Sequence, residues 1–399
     1  MEAEEVRRMM GRRLRRIRRA RGKSLDVVAG LAGISKSYLS MLETADRPLD
    51  SLKLIAALAN ALEIAPSELI RIPLAAPGDG NTDSAIEAVR RTLDGIDVGH
   101  PAGQVLPVGV LRERVARIEQ QNRECQFADV ARELPGLIAD LHTTLDQGSD
   151  HAELIALAVY LHVHITRMWL VSAGAPADLH RRVVFLARTL ARQDGRPTTL
   201  GMAAHGVVGV LLRGGAFEPA QAELDSLSPP LVTRDTAGLQ CSLLASRALA
   251  ALLLGRPDDA DAPLEEAAGL ASRFGEYPAD PLGFAFGPTS VEFRRMELAL
   301  ERAEPDEVVR IAEDVDPRLS PFPSRRVYYW TRYGGALSQL RGRGEDAVRA
   351  LRTAETIFPT RMYRDPMARD VLTTLVEKPP AGRAGQELRG LAHRAGLSV

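Results

Sequence analysis

The sequence predicts an all-α protein in two parts, a small N-terminal helical unit followed by a long array of helix pairs. Three observations carry this. Period-2 alternation is nearly absent, while apolar residues recur at the three- and four-residue spacing of helices from end to end. The 399 residues exceed the roughly 250–300 at which one hydrophobic core stops growing, so two or more domains are expected. The charge is also divided: residues 1–71 hold 14 Lys/Arg against 9 Asp/Glu, and the remainder 37 against 43. A net charge of −1 hides that asymmetry, which is the pattern of a chain whose one end meets a polyanion.

The first unit, residues 1–72, reads as five short helices. Leu14 and Ile17 recur at helical spacing inside an arginine run that holds ten basic residues and no acid between Val6 and Leu25. Gly22 ends that helix, and Ser24 is placed to cap a second, LDVVAGLA, with Val28 and Ala32 inward. Gly33 permits a tight turn, Ser35 caps a third helix, KSYLSMLE, and Ser51 opens a fourth, LKLIAALANALE. Pro66 to Leu69 starts a fifth. Two short helices joined by a glycine-containing turn form the unit whose second helix can enter a major groove.

Those residues carry a resemblance. The segment from Leu14 to Ile70 resembles the XRE, or phage-repressor-like, helix-turn-helix regulators, in the positions of Ala29, Gly33, Ser35, Leu39 and Glu43. The resemblance implies a lambda-repressor-like fold and an ion pair between Arg18 and Glu43. Two positions depart from it. Leu25 stands where Gln often touches DNA, and Ala45 stands where Gly often follows the glutamate, which suggests a different exit from the third helix. Double-stranded DNA with a pseudo-palindromic operator is the implied partner, bound by a homodimer. Lys36 and Ser37 are placed for base edges, Ser24, Ser35, Tyr38 and Ser40 for bases or backbone, and Arg12, Arg13, Arg16 and Arg47 for phosphates. Only four lysines stand against 47 arginines, a bias that dilutes the weight of any single arginine.

Residues 73–106 are expected to form a linker, opening with the Pro- and Gly-rich PLAAPGDGNTDS and carrying a possible short helix near Asp83–Leu93 that could serve dimer contacts. DGNTD mimics the start of a calcium loop, but Ser84 stands where Gly is required and Arg90 where Glu is required. Over 107–399, Gly- or Pro-based turns recur, and the residues opening the second helix of each pair, Leu179, Ala220, Ala260, Val308 and Ala347, are spaced 41, 40, 48 and 39 apart. This part resembles tetratricopeptide-like α-solenoid sensors fused to XRE heads in filamentous GC-rich bacteria. The resemblance implies a ligand-governed transcription regulator holding a small effector or a peptide.

The 48-residue spacing contains an inserted loop, FGEYPADPLGFAFGPTS, and 12 of the 18 aromatic residues lie between Phe274 and Tyr363. Phe284, Phe286, Tyr328, Tyr329, Trp330 and Tyr333 are therefore the candidate ligand-binding residues, against the alternative that they fill the repeat interior.

No catalytic constellation, cofactor fingerprint or metal-ligand spacing is found, so neither an enzyme nor a metal or cofactor is expected. His162 and His164, two apart, point to different faces of a helix. Cys125 and Cys241 are isolated, which fits a reducing cytoplasm. The N-terminus lacks the apolar core of a signal peptide, and LIALAVYLHVHI is broken by histidines, so no membrane association is expected. A second reading keeps the array as a protein-interaction scaffold, its head vestigial for DNA.

Overall fold

The computed structural model describes residues 3–47, 49, 51–64, 69, 80–147, 151–228, 232–277, 280–377 and 379–397. Among them the fold is all-helical, and the only strand-like pairing is one antiparallel bridge between Tyr277 and Phe286.

The head comprises α1 (Ala3–Ala20), α2 (Leu25–Leu31), α3 (Lys36–Thr44) and α4 (Leu52–Leu62). Each of the last three begins on a serine. Ser24, Ser35 and Ser51 accept a hydrogen bond from the backbone N–H three residues on, at Val27, Tyr38 and Leu54. Leu14, Val28, Leu39, Leu42, Leu58 and Leu62 form one core. Gly11 lets α1 cross the end of α3 closely, since a Cβ there would sit 2.7 Å from the carbonyl oxygens of Leu42 and Glu43. The fifth helix expected at Pro66 lies outside the described residues except for Leu69, which is buried in this core.

The segment read as a linker contributes more than expected. Helix α5 (Gly80–Asp97) runs for 18 residues and places Ala85, Ile86, Val89 and Leu93 in the main core, so it packs as part of the array. Then follow α6 (Val108–Arg123), α7 (Phe127–Gln147) and α8 (His151–Tyr160), a π-helical turn over Leu161–Thr166, and α9 (Arg167–Ala173). His151–Ala173 is continuous and, at 23 residues, long and apolar enough to cross a bilayer, contrary to what its histidines suggested. Its most apolar window is 67% buried among other helices, the situation of a core helix.

From α10 (Ala177–Asp194) the pairs alternate: α11 (Pro197–Arg213) with α12 (Phe217–Asp225), α13 (Ala237–Leu253) with α14 (Asp258–Phe274), α15 (Pro288–Glu301) with α16 (Pro305–Asp314), and α17 (Pro323–Gln339) with α18 (Gly344–Ile357). The five aligned positions fall at the third or fourth residue of α10, α12, α14, α16 and α18, and all five are fully buried. Small α19 (Pro359–Arg364), α20 (Pro366–Glu377) and α21 (Gly382–Arg394) end the chain.

The first helices of the pairs stack in order, α11 on α13, α13 on α15, α15 on α17 and α17 on α19, and α19 returns to touch α9. The π turn touches α11, so these elements close a ring. Phe127 fastens the closure, stacked on Trp169 at 5.3 Å and edge-on to Phe358 at 6.4 Å, while Arg364 donates to the carbonyl of Ala173. The head packs against the array, with α1 against α20. Glu301, the last residue of α15, accepts hydrogen bonds from Ser51 Oγ at 3.1 Å and the Lys53 N–H at 3.3 Å, at the start of α4.

Candidate nucleic-acid interface

Helix α3 is held from beneath and open above. Its lower side carries Leu39, Leu42 and Glu43, all buried. Arg18 of α1 meets Glu43 through two parallel bonds, Nε to Oε1 at 2.5 Å and Nη2 to Oε2 at 2.8 Å, and Nη1 donates to the carbonyl of Lys23 at 3.0 Å. With Arg18 8% and Glu43 6% exposed, the pair is shielded from water, and the bonds to Glu43 hold the Arg18 pKa above its ordinary value. Lys23 adds a second brace, donating to the Ala61 carbonyl and to Glu63, each at 2.8 Å, and this partner lowers the Glu63 pKa. The orientation of α3 is therefore fixed by its ion pair to α1, while Lys23 ties the turn after α1 to the end of α4.

The upper side is hydrophilic and exposed. Ser35, Lys36 and Ser37 are exposed at the N-terminal turn, where the unsatisfied N–H groups of a helix favour an anion. Ser24 is exposed as well. Tyr38 and Ser40 are half-buried, Tyr38 leaning on the head core. Arg16 and Arg47 are exposed, and Arg13 is half-buried with its Nε shielded and unbonded. The side chain of Arg12 lies outside the described residues. Arg15 and Arg19 are also exposed on α1, beside Arg16, and sequence reasoning passed over both. Phasing the helix on Leu14 and Arg18 would have found them.

One feature of the surface was not anticipated. Lys36 Nζ donates to Asp26 of α2 at 2.8 Å, so the principal base-reading candidate is tied to a carboxylate in the free protein. Both side chains are more than half exposed, and such a pair contributes at most about 1 kcal/mol. Leu25, in place of the expected Gln, packs half-buried against the head core. The exit from α3 differs from expectation: Ala45 adopts the left-handed conformation, φ 69° and ψ 16°, that a glycine would take there. The chain leaves the helix along the route a glycine would give, at the cost of a strained Cβ.

The candidate ligand residues divide. Phe284, Phe286 and Tyr329 are buried, Phe284 edge-on to His164 at 4.6 Å and to His205 at 5.1 Å, and the Tyr329 hydroxyl donates to the Ala312 carbonyl at 2.6 Å. Phe284 and Phe286 pack the interior because the inserted loop folds inward, and Tyr329 packs it from α17. Asp280 organises it, its Oδ1 accepting the N–H groups of Leu282 and Phe284 at 3.0 and 2.9 Å. Tyr328, Trp330 and Tyr333 are half-buried, with Arg332 stacked 4.3 Å from the Tyr328 ring.

His142 and His162 share a 2.8 Å contact between their Nε2 atoms, and burial lowers both pKa values, His142 to about 4. Among the described residues no group of three His, Cys, Asp or Glu is placed to hold a metal.

Residues 9–71 match the family model of a helix-turn-helix domain. The match spans α1 to α4 and both serine-capped helices of the turn, and it gives the head a DNA-binding role in transcription regulation. Comparison with curated proteins gives no match for the chain.

Proposed function

We propose that the chain is a sequence-specific, dimeric regulator of the XRE type, not an enzyme, whose tetratricopeptide-like array takes up a small effector or peptide in the cytoplasm. The observation that carries the reading is the posture of α3: locked below by Arg18–Glu43, with Lys36 and Ser37 exposed at its N-terminal turn. A helix so placed can lie in a major groove with those two side chains on base edges. Exposed arginines of α1 supply the salt-dependent attraction to phosphate. Dimers would read two half-sites, and an effector would shift a pre-existing equilibrium in the spacing of the heads.

The test is selection of bound duplexes from a random pool, followed by salt titration. Lys36→Ala with Ser37→Ala is expected to cost about 1–3 kcal/mol on the selected site and to relax its sequence. Arg16→Ala should weaken all duplexes alike and reduce the salt slope by about 1. An unchanged consensus in the double variant refutes the assignment of the recognition helix, and no enrichment from the pool favours the interaction-scaffold reading.

A further inference from the structure

Arginines with few partners converge from the helices that close the ring. Arg167 of α9, Arg213 of α11, Arg294 of α15, Arg325 of α17 and Arg361 of α19 act on one another electrostatically. Arg213 has an exposed side chain and yet is desolvated by the protein around it, the combination that an inward-facing wall produces. Two carboxylates share this space, and both are engaged. Glu297 accepts from Arg294 at 2.7 Å. Asp365 accepts from Arg332 at 3.2 Å and from the N–H groups of Met367 and Ala368 at 2.9 and 3.1 Å.

Among the described residues the remaining cations make no hydrogen bond or ion pair to a carboxylate, although Glu297 and Asp365 act on Arg213, Arg325 and Arg361 from a distance. Arg167, 7% exposed, gives its Nε to the Val163 carbonyl at 3.1 Å, and Arg325 donates to the Ala285 carbonyl and Ser290 Oγ, each at 3.5 Å, and lies 5.6 Å from the Phe322 ring centre. Among the described residues neither Arg213 nor Arg361 has a side-chain hydrogen bond or an ion pair. Burial and the neighbouring guanidinium groups lower the Arg167 pKa to about 9, and burial with Arg294 lowers Arg325 to about 10. Guanidinium holds its proton in proteins, so these groups stay charged while burial strips their water, and a bound anion would restore what solvent no longer supplies.

Space is provided where the charges converge. Gly209, on the turn of α11 before Arg213, carries no side chain, and a methyl there would lie 3.5 Å from Arg213 Nη2 and 3.9 Å from Arg167 Nη1. His164 and His205, each packed edge-on to the buried Phe284, neighbour these arginines and are kept neutral, with burial lowering both histidine pKa values.

We infer that the interior of the ring is a binding site for a small, multiply charged anion, a phosphate- or polycarboxylate-bearing molecule gripped by Arg167, Arg213, Arg325 and Arg361. The inference deepens the proposed regulatory function by naming the chemistry of the effector, and it rests on that reading only for its regulatory consequence. Fork-shaped guanidinium groups suit such oxyanions, each contact being a charge-assisted pair.

The experiment is calorimetric titration of the full chain at constant ionic strength with pyrophosphate and, separately, citrate. One site is expected. Arg213→Gln with Arg361→Gln should weaken it roughly tenfold or more, while Arg16→Ala in the head leaves it unchanged. Gly209→Glu, which places a carboxylate between Arg213 and Arg167, should abolish binding and raise the melting temperature. This second variant guards against misfolding of the first. Binding of one probe and not the other assigns the anion to the phosphate or the carboxylate class. No binding of either probe, equal binding by the Gln pair, or unimpaired binding by Gly209→Glu overturns the site. A gel shift on the selected duplex, with and without the bound probe, separates the two readings. Anion binding without a change in DNA affinity keeps the site and refutes its regulatory role, whereas duplex selection without anion binding refutes the site alone.

Discussion

Acidification should destabilise the array, and the structure sets the size of the effect. Five histidines, 142, 162, 164, 180 and 205, have folded pKa values lowered by burial, to about 4 for His142 and His180 and about 3 for His164. A depressed folded pKa contributes stability that is present above the unfolded value of about 6.5 and is lost as pH falls below it. At pH 5.5 each histidine held neutral costs about 1.4 kcal/mol relative to high pH. Counting His142 and His162 in full, and the three partly exposed ones at half for solvent screening, gives about 5 kcal/mol. Asp280 acts in the opposite sense. Burial raises its pKa to about 6, so its stability contribution is complete at low pH and lost as pH rises, and it returns about 1 kcal/mol between pH 7.5 and 5.5. The net loss is about 4 kcal/mol, which over roughly 300 residues lowers the melting temperature by about 6 °C. Thermal melts by circular dichroism at the two pH values and equal ionic strength measure it. A melting temperature that is unchanged or higher at pH 5.5 refutes the assignment of these histidines as buried and neutral.

Four further outcomes are expected. Glu43→Leu strands a buried guanidinium, so it should cost about 3–5 kcal/mol and abolish duplex binding, while adding Arg18→Met should restore much of the stability in urea titrations. Ala45→Gly relieves a left-handed alanine and should raise head stability by about 1 kcal/mol, read as a shift in the urea midpoint with unchanged slope. Asp26→Asn frees Lys36 and removes a negative charge beside the duplex, so affinity in gel shifts should rise several-fold, most at low salt. Glu301→Gln weakens the link to the start of α4 by about 0.5–1 kcal/mol, and any effect of pyrophosphate on duplex affinity should shrink while its calorimetric affinity stays the same.

The head was legible because its determinants are local. A serine three residues before a backbone donor, a glycine at a turn and the helical spacing of Leu14 and Ile17 act within one or two helical turns, and the structure realises each of them. The misreadings in the head have the same root. Asp26 and Lys36 sit on adjacent helices, and nothing at ten residues' separation announces their contact. In the array, the turn spacing located the helix pairs because the buried residue opening each second helix must be small or aliphatic. Aromatic density then misdirected the search for a ligand site. Phe284, Phe286 and Tyr329 were drawn to the interior by the same apolar character that singled them out. The interior arginines were invisible in a chain with 47 of them, since only closure of the ring brings positions 167, 213, 325 and 361 to one place.

Helix α15 joins the two parts of the molecule. Arg294 and Glu297 face the ring interior, and Glu301, seven residues after Arg294 and on the same helix face, meets the start of α4. An anion that draws Arg294 from Glu297 changes the charge balance two turns from the contact that seats the head. Glu301 accepts from the Lys53 N–H and from the Ser51 hydroxyl, itself the cap of α4, so displacing this carboxylate perturbs the cap as well as the docking. Among the described residues the head is also held by α1 against α20 and by Ala56 in the main core. On the proposed reading, a few kcal/mol of differential anion affinity between a seated and a released head would suffice to shift the population, and that is the scale of one or two charge-assisted hydrogen bonds. The recognition helix itself need not move relative to its own domain, because Arg18–Glu43 keeps α3 fixed within the head in both arrangements.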